Sequence, residues 1–369
     1  DIKLGDVNFA SDTVSTGAGN DEITTDLVSA AEDAVDGGSG TDTLKLVGAV
    51  ADASAAIVID LRAGQTDQIA SINTNWMKAN QTGIENFDLS GMTVTANPGT
   101  PIVSFTNLNS TTDGETTALT GTAASTDTIT AIATGSNLTA ITLRGIEVIT
   151  YTTSTVSATF DADNFTNVVT LTGDNTATDD VAVFADDIDF TSVTNTEVDH
   201  LSLNAGVDMI IDAANLTDVV KILGTNAGTE NETLTLKEAA AFDMKAVTDL
   251  SDITSILMNT GTATATGVTL LRDTSGDFTG TLVGVSGTTQ TLTAKGNSGA
   301  ADITGITNTN VEKLAVLVDD DDLVVDTANL TNVTTILGVN GTNAEYVIAK
   351  GASAFDFSGV TLTDIAIKG

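Results

Sequence analysis

The chain has 369 residues, and 50 Asp and Glu against 13 Lys and Arg leave a formal charge of −37. So few and scattered cations exclude a surface that tracks nucleic-acid phosphates and disfavour an anionic membrane, and the absence of Cys excludes disulfides, thiolate metal sites and thiol nucleophiles. Aromatic residues make up only 4% of the chain and small residues dominate it, yet mean hydropathy is +0.17, so the chain is expected to fold.

The chain opens at Asp1 with neither Met nor a charged-then-apolar leader, which is expected of a processed product or of an excerpt from something longer. In chain order, Asp26–Val35 and Gln68–Lys78 read as short helices, because Ala, Glu, Gln and Lys there replace β-branched residues. Leu236–Ala246 reads the same way. Everything else points to strands. Short apolar alternations recur about every ten residues, at Leu44-Lys45-Leu46, Ile57-Val58-Ile59, Leu314-Ala315-Val316, Leu323-Val324-Val325, Val347-Ile348 and Phe355-Asp356-Phe357, with Gly, Asn, Asp and Ser between them. The apolar run Ala55–Ile59 stops at Asp60, so no membrane-spanning helix is predicted.

Internal repeats are the strongest signal. Asp161–Gly173, Asp212–Gly224 and Asp326–Gly338 share the pattern Asp-x-x-Asn-apolar-Thr followed by a β-branched strand and Gly. About fourteen residues upstream of each lies a second block, Gly145-Ile146-Glu147-Val148, Asn195-Thr196-Glu197-Val198 and Asn310-Val311-Glu312-Lys313, with an earlier relative at Gly83-Ile84-Glu85-Asn86. The module of roughly 50 to 60 residues holds four or five strands, about two turns of a solenoid. The predicted fold is therefore all-β: an elongated repeat array, a right-handed parallel β-solenoid, with tandem β-sandwiches as the alternative. Leu216, Val219 and Ile222 would stack on Leu330, Val333 and Ile336 in equivalent layers. Three regions follow, 1–50, 51–140 with degenerate repeats, and 141–369 as the regular array.

The N-terminal region carries Thr16-Gly17-Ala18-Gly19-Asn20-Asp21-Glu22-Ile23-Thr24 and, 21 residues later, Gly37-Gly38-Ser39-Gly40-Thr41-Asp42-Thr43-Leu44-Lys45. These nonapeptides resemble the RTX calcium-binding repeat, in which glycines turn the backbone so that carbonyls face inward, Asp adds a hard carboxylate and an apolar residue plugs a parallel β-roll. By that resemblance the calcium ligands would be carbonyls near Gly17, Gly19, Gly38 and Gly40 and the carboxylates of Asp21 and Asp42. The repeat blocks over about residues 80 to 369 resemble bacterial surface-layer proteins and related large secreted proteins carrying RTX repeats. Membership would imply secretion to the extracellular cell surface, calcium-dependent folding and self-assembly into a lattice, with a cell-surface polysaccharide as a second partner.

Other clusters are weighed against simpler readings. Asp319–Asp322 and the group Asp179, Asp180, Asp186, Asp187 and Asp189 suit solvated loops of an acidic chain, with Asp320 and Asp322 as the candidate ligands if a cation binds there. Calcium is the metal such oxygen donors would choose. Asn164, Asn215 and Asn329 stand in formal glycosylation sequons, but Asn and Thr at a recurring turn are better explained by hydrogen bonds that cap the strand. Asp273-Thr274-Ser275-Gly276 looks like an aspartic-protease loop, yet no second copy supplies the partner carboxylate. His200, the single histidine, offers neither triad nor zinc site and suits a surface or module boundary. Thr262–Thr266 invites an ice-binding reading that strand propensity explains more simply. The expectation is thus a structural, non-enzymatic, calcium-binding protein that assembles with itself. The stalk or ligand-binding part of a secreted adhesin and a secreted β-helical hydrolase are the alternatives.

Overall fold

The computed structural model describes residues 2–3, 13–26, 34–53, 57–60, 68–70, 81–96, 103–106, 118–122, 127–130, 136–139, 141–151, 157–174, 180–225, 231–237, 241–258, 267–272, 277–296, 299–351 and 354–368. Short strands dominate, and no α-helix occurs among these residues. The chain forms two compact units, residues 1–183 with 196–198, and residues 184–195 with 199–369.

Each unit is a parallel β-solenoid. In the first, the strands Glu22–Asp26, Thr43–Ala53, Asn86–Ala96, Ala118–Thr120 and Thr142–Arg144 pair in parallel, placing Ile23, Leu44, Phe87, Leu119 and Leu143 in one column. All five are at most 3% exposed. A second column on another face runs Ile129, Ile149, Leu171. In the second unit, Met209, Leu234, Ile256 and Leu282 form a fully buried column ended by Asn308. The other face stacks Phe242, Val268, Leu292, Leu314 and Ile336.

The alternation explains the architecture. Strands of three to six residues send every second side chain inward, so one Leu, Ile, Val or Phe per strand fills the interior while Thr, Ser and Asp face outward. Parallel neighbours cannot be joined by a hairpin, and the chain instead circles once and returns after about 20 to 26 residues to lie on its own earlier strand. The module of the sequence repeat is therefore about two coils. Ile222 consequently stacks on Leu201, and Ile336 on Leu314 and Leu362, instead of stacking on each other. Val219 and Val333 are buried as expected, whereas Leu216 and Leu330 are half-buried.

Three local expectations are corrected. Leu236–Ala246 is not helical in its described residues, 236–237 and 241–246: Leu236 ends the strand Thr233–Leu236 and Ala241–Met244 is a strand whose Phe242 and Met244 are fully buried. Period-two burial in the parallel ladder outweighs the helix propensity of Ala and Lys. Gln68–Ala70 is likewise a strand, antiparallel to Ile57–Asp60, while 71–78 and 27–33 lie outside the described residues. Phe355-Asp356-Phe357 is not a strand; Asp356 turns back to accept the Ser358 N–H, and the two rings stack 6.1 Å apart.

Candidate functional site

The repeated blocks are the joints of the coil. In Asp161–Phe165 and Asp212–Leu216, Asp caps a single turn of 3-10 helix and Asn returns a bond to the Asp N–H, forming a capping box. Asp326 and Asn329 make the same reciprocal pair. Each Asn then donates its side-chain amide to two carbonyls one coil earlier: Asn164 to Leu138 and Ile141, Asn215 to Phe190 and Val193, Asn329 to Ile303 and Ile306, over 2.6 to 3.2 Å. All three Asn are 0% exposed. Burial makes them structural pins, and it places the sequon side chains out of reach of a glycosyltransferase.

The upstream blocks supply a second joint, and the structure shifts one of them by two residues. Gly145, Glu197 and Asn310 share a left-handed backbone, with φ of 57°, 61° and 55°. Glu197-Val198-Asp199-His200 thus corresponds to Gly145-Ile146-Glu147-Val148, and Glu197 does not match Glu147. Gly83, Asp252 and Asp364 complete the set. In each case a glycine of the preceding coil lies against the carbonyl of the left-handed residue: Gly37 on Gly83, Gly121 on Gly145, Gly173 on Glu197, Gly224 on Asp252, Gly284 on Asn310 and Gly338 on Asp364. Two residues after the left-handed position, Glu85, Glu147 and Glu312 accept the backbone N–H of Asp42, Asp127 and Gln290 at 2.6, 2.9 and 3.0 Å. The Glu of the repeat therefore closes the turn of the coil before it.

Within this frame the two glycine-rich nonapeptides stack directly. Ala18 bridges Ser39, the Gly19 N–H bonds the Ser39 carbonyl, and the Ser39 N–H bonds the Gly17 carbonyl. Gly17, Gly19, Gly38 and Gly40 all have positive φ, between 89° and 151°, and a Cβ on Gly38 or Gly40 would stand about 2 Å from the Gly17 or Gly19 carbonyl oxygen. Only glycine permits both the turn and the close approach. Asp42 is fully buried; its Oδ1 accepts the Asp21 N–H at 2.7 Å, while its Oδ2 and the Oδ2 of Asp21 are enclosed without a hydrogen-bond donor. Asp36 receives the Gly38 N–H and the hydroxyls of Ser15 and Thr82, and Glu85 the Asp42 N–H, so both brace the backbone around these turns. The sequence placed Glu85 only in a repeat block and did not single out Asp36, because Glu85 lies 43 positions from Asp42, about twice the usual coil length. Hard, donor-poor oxygens of this kind suit calcium. The Gly17 carbonyl is engaged by the ladder, and no three acidic or imidazole side chains converge among the described residues.

The second candidate group is dispersed. Asp320 is an exposed turn residue with φ 89°, and Asp322 accepts the Tyr346 N–H and lies 3.6 Å from the Lys368 ammonium. Asp321 is buried and accepts the Gly296 N–H. Asp180 accepts the Asp174 N–H, Asp187 the Asp208 N–H, and Asp189 pairs with Lys237, so each carboxylate closes a different turn. Asp179, Asp273–Gly276 and Thr262–Thr266 lie outside the described residues. His200 opens the strand His200–Leu203, as its place beside Leu201 predicts, and at 8% exposed beside Lys221 it is a boundary residue and not a surface one.

Comparison of the chain with family models, with curated protein sequences and with solved structures gave no match. The functional reading rests on the chain's own geometry. No helix among the described residues is long and apolar enough to cross a membrane.

Proposed function

We propose that the chain is a structural, self-assembling protein of the extracellular cell surface whose folding and assembly depend on calcium. One observation carries the reading: stacked glycine-rich turns enclose the Oδ2 atoms of Asp21 and Asp42 without a donor, in a chain of charge −37. Buried anionic oxygens are costly without a partner, and the long-range repulsion of the remaining carboxylates opposes both compaction and association. A calcium ion held by Asp21, Asp42 and carbonyls of the turn glycines other than Gly17, whose oxygen the ladder already uses, would satisfy these oxygens, neutralise charge and tie one coil to the next. A solenoid with short exposed strands and repeated joints is a scaffold for a lattice, with surface polysaccharide as a second contact.

The test is a calcium titration of chelator-treated protein that follows far-ultraviolet circular dichroism and light scattering, with the endpoint viewed by negative-stain microscopy. A gain of β signal with ordered arrays supports the proposal. A gain without assembly turns the reading to an adhesin stalk, and no response in either channel overturns it. Asp42→Ala should weaken calcium uptake and thermal stability together.

A further inference from the structure

A second pair of carboxylates meets in the other unit. Glu345 opens the strand Glu345–Ala349 at the same point of its coil as Asp42, Asp127 and Gln290. In these four coils, and in a fifth where Asp180 meets Gly173, a side-chain oxygen of that residue lies 2.4 to 2.9 Å from where a Cβ would stand on the glycine that follows the previous strand: Gly338, Gly37, Gly121 or Gly284 in the four. What differs is the other terminal atom. Gln290 has an amide nitrogen there, which donates to the Met258 carbonyl at 3.5 Å. Glu345 has an oxygen, Oε1, which is enclosed without a donor in a residue only 2% exposed.

The group facing Glu345 is Asp319, whose carboxylate is within hydrogen-bonding reach. Asp319 is fixed there. It accepts the N–H groups of Thr342 and Asn343 at 3.1 and 3.2 Å, and it lies so close over Gly341 that a Cβ would fall 2.1 Å from its Cγ. Among the described residues neither acid is ion-paired with Lys or Arg. Two carboxylates held this close repel each other unless a cation or a shared proton stands between them.

We propose that Asp319 and Glu345 together bind a hard divalent cation, calcium by the chemistry of their oxygens, at a site separate from the glycine-rich turns. Two carboxylates leave room for the water and carbonyl oxygens that complete calcium's roughly six to eight ligands. The ion would join the turn at 317–321 to the loop at 338–345 one coil later. The run of four Asp contributes Asp319 to it, because Asp320 faces solvent and Asp322 is engaged by Tyr346 and Lys368.

The experiment is a terbium titration of the chelator-treated full chain. Tyr346 adjoins Glu345 in sequence and sensitises the emission of an ion bound there. We expect a tyrosine-sensitised signal that calcium competes away. Glu345→Gln, which installs the side chain that Gln290 already carries at the equivalent place, and Asp319→Asn should each weaken this binding at least tenfold while preserving the circular dichroism spectrum. Tyr346→Phe should lose the emission but keep calcium uptake measured by equilibrium dialysis. Equal calcium stoichiometry and affinity in wild type, Glu345→Gln and Asp319→Asn would overturn the site. So would a stability gain in Glu345→Gln that depends on pH and not on cation, the behaviour of a shared proton.

Discussion

Gly173 lies against the carbonyl of Glu197: a Cβ at position 173 would stand 1.9 Å from that oxygen, while Glu197 itself holds φ at 61°. The relationship recurs at Gly338 and Asp364, where the distance is 2.1 Å and φ is 54°. A residue that must be glycine and a residue that must turn left-handed thus form one joint.

Gly338→Ala should destabilise the chain by about 1 to 3 kcal/mol, since backbone has to shift to admit the methyl group. Gly359→Ala, where a Cβ meets nothing within 4 Å and φ is unrestricted, should change stability by less than about 0.5 kcal/mol. Urea unfolding of the two variants measures the difference. Equal midpoints would refute the close approach.

Asn215→Ala removes the donor to the Phe190 and Val193 carbonyls and half of a capping box. Leaving two buried acceptors unpaired should cost about 2 to 4 kcal/mol. Expression in a glycosylating host should leave the mass of the folded protein unchanged at Asn164, Asn215 and Asn329, read by intact-protein mass spectrometry.

Two clamps predict a pH and salt dependence. Burial pushes the Asp189 carboxyl up, but hydrogen bonds from the Lys237 ammonium and from Thr191 outweigh it and hold the group below the ordinary Asp range. Asp302 behaves alike with Thr304 and Lys350. A depressed folded pKa means that the stabilisation is fully present above the unfolded value of about 3.9 and disappears as pH falls through the folded value. Because these groups are partly exposed, each clamp should contribute only about 0.2 to 1 kcal/mol. Lys237→Met and Lys350→Met should lower the denaturation midpoint at pH 7 and low salt, and should match wild type at pH 2 and in molar salt.

Arg272 is 4% exposed and spans two carbonyls, Nε to Asp302 at 2.7 Å and Nη1 to Phe278 at 2.6 Å, with Asp277 at 3.9 Å. Burial lowers its pKa, and Asp277 and Asp302 oppose that shift. Arg272→Ala should cost about 3 to 5 kcal/mol by breaking a buried charge network. Lysine should not rescue it, because a point ammonium cannot reproduce the two-pronged fork. Thermal melts of both variants decide this.

Legibility followed range. The strands at Leu44–Leu46, Leu314–Val316 and Leu323–Val325 were readable because alternation of apolar and polar residues is a property of neighbours. Leu236–Ala246 was misread because its helix propensity is local, whereas the column that buries Phe242 on Val268 is built by residues about 26 positions away. The misaligned Glu197 shows the same limit: its letter matches Glu147, but its backbone matches Gly145. Around the glycine-rich turns, Asp21 and Asp42 stood out by spacing, while Asp36 and Glu85 became visible only once the coils were stacked.

What the sequence by itself determined is the class of structure and its period: small and β-branched residues, no Cys, and blocks recurring at about two coils, all of which follow from composition and local pattern. Tertiary structure alone decided which carboxylates meet. Asp319 and Glu345 are separated by 26 positions in the chain and by a turn in space, and only the register of one coil on the next brings their oxygens together. That register is set where Leu323 lies on Val347 and the Tyr346 N–H meets the Asp322 carboxylate, contacts whose energy exists only after the chain has circled back onto itself.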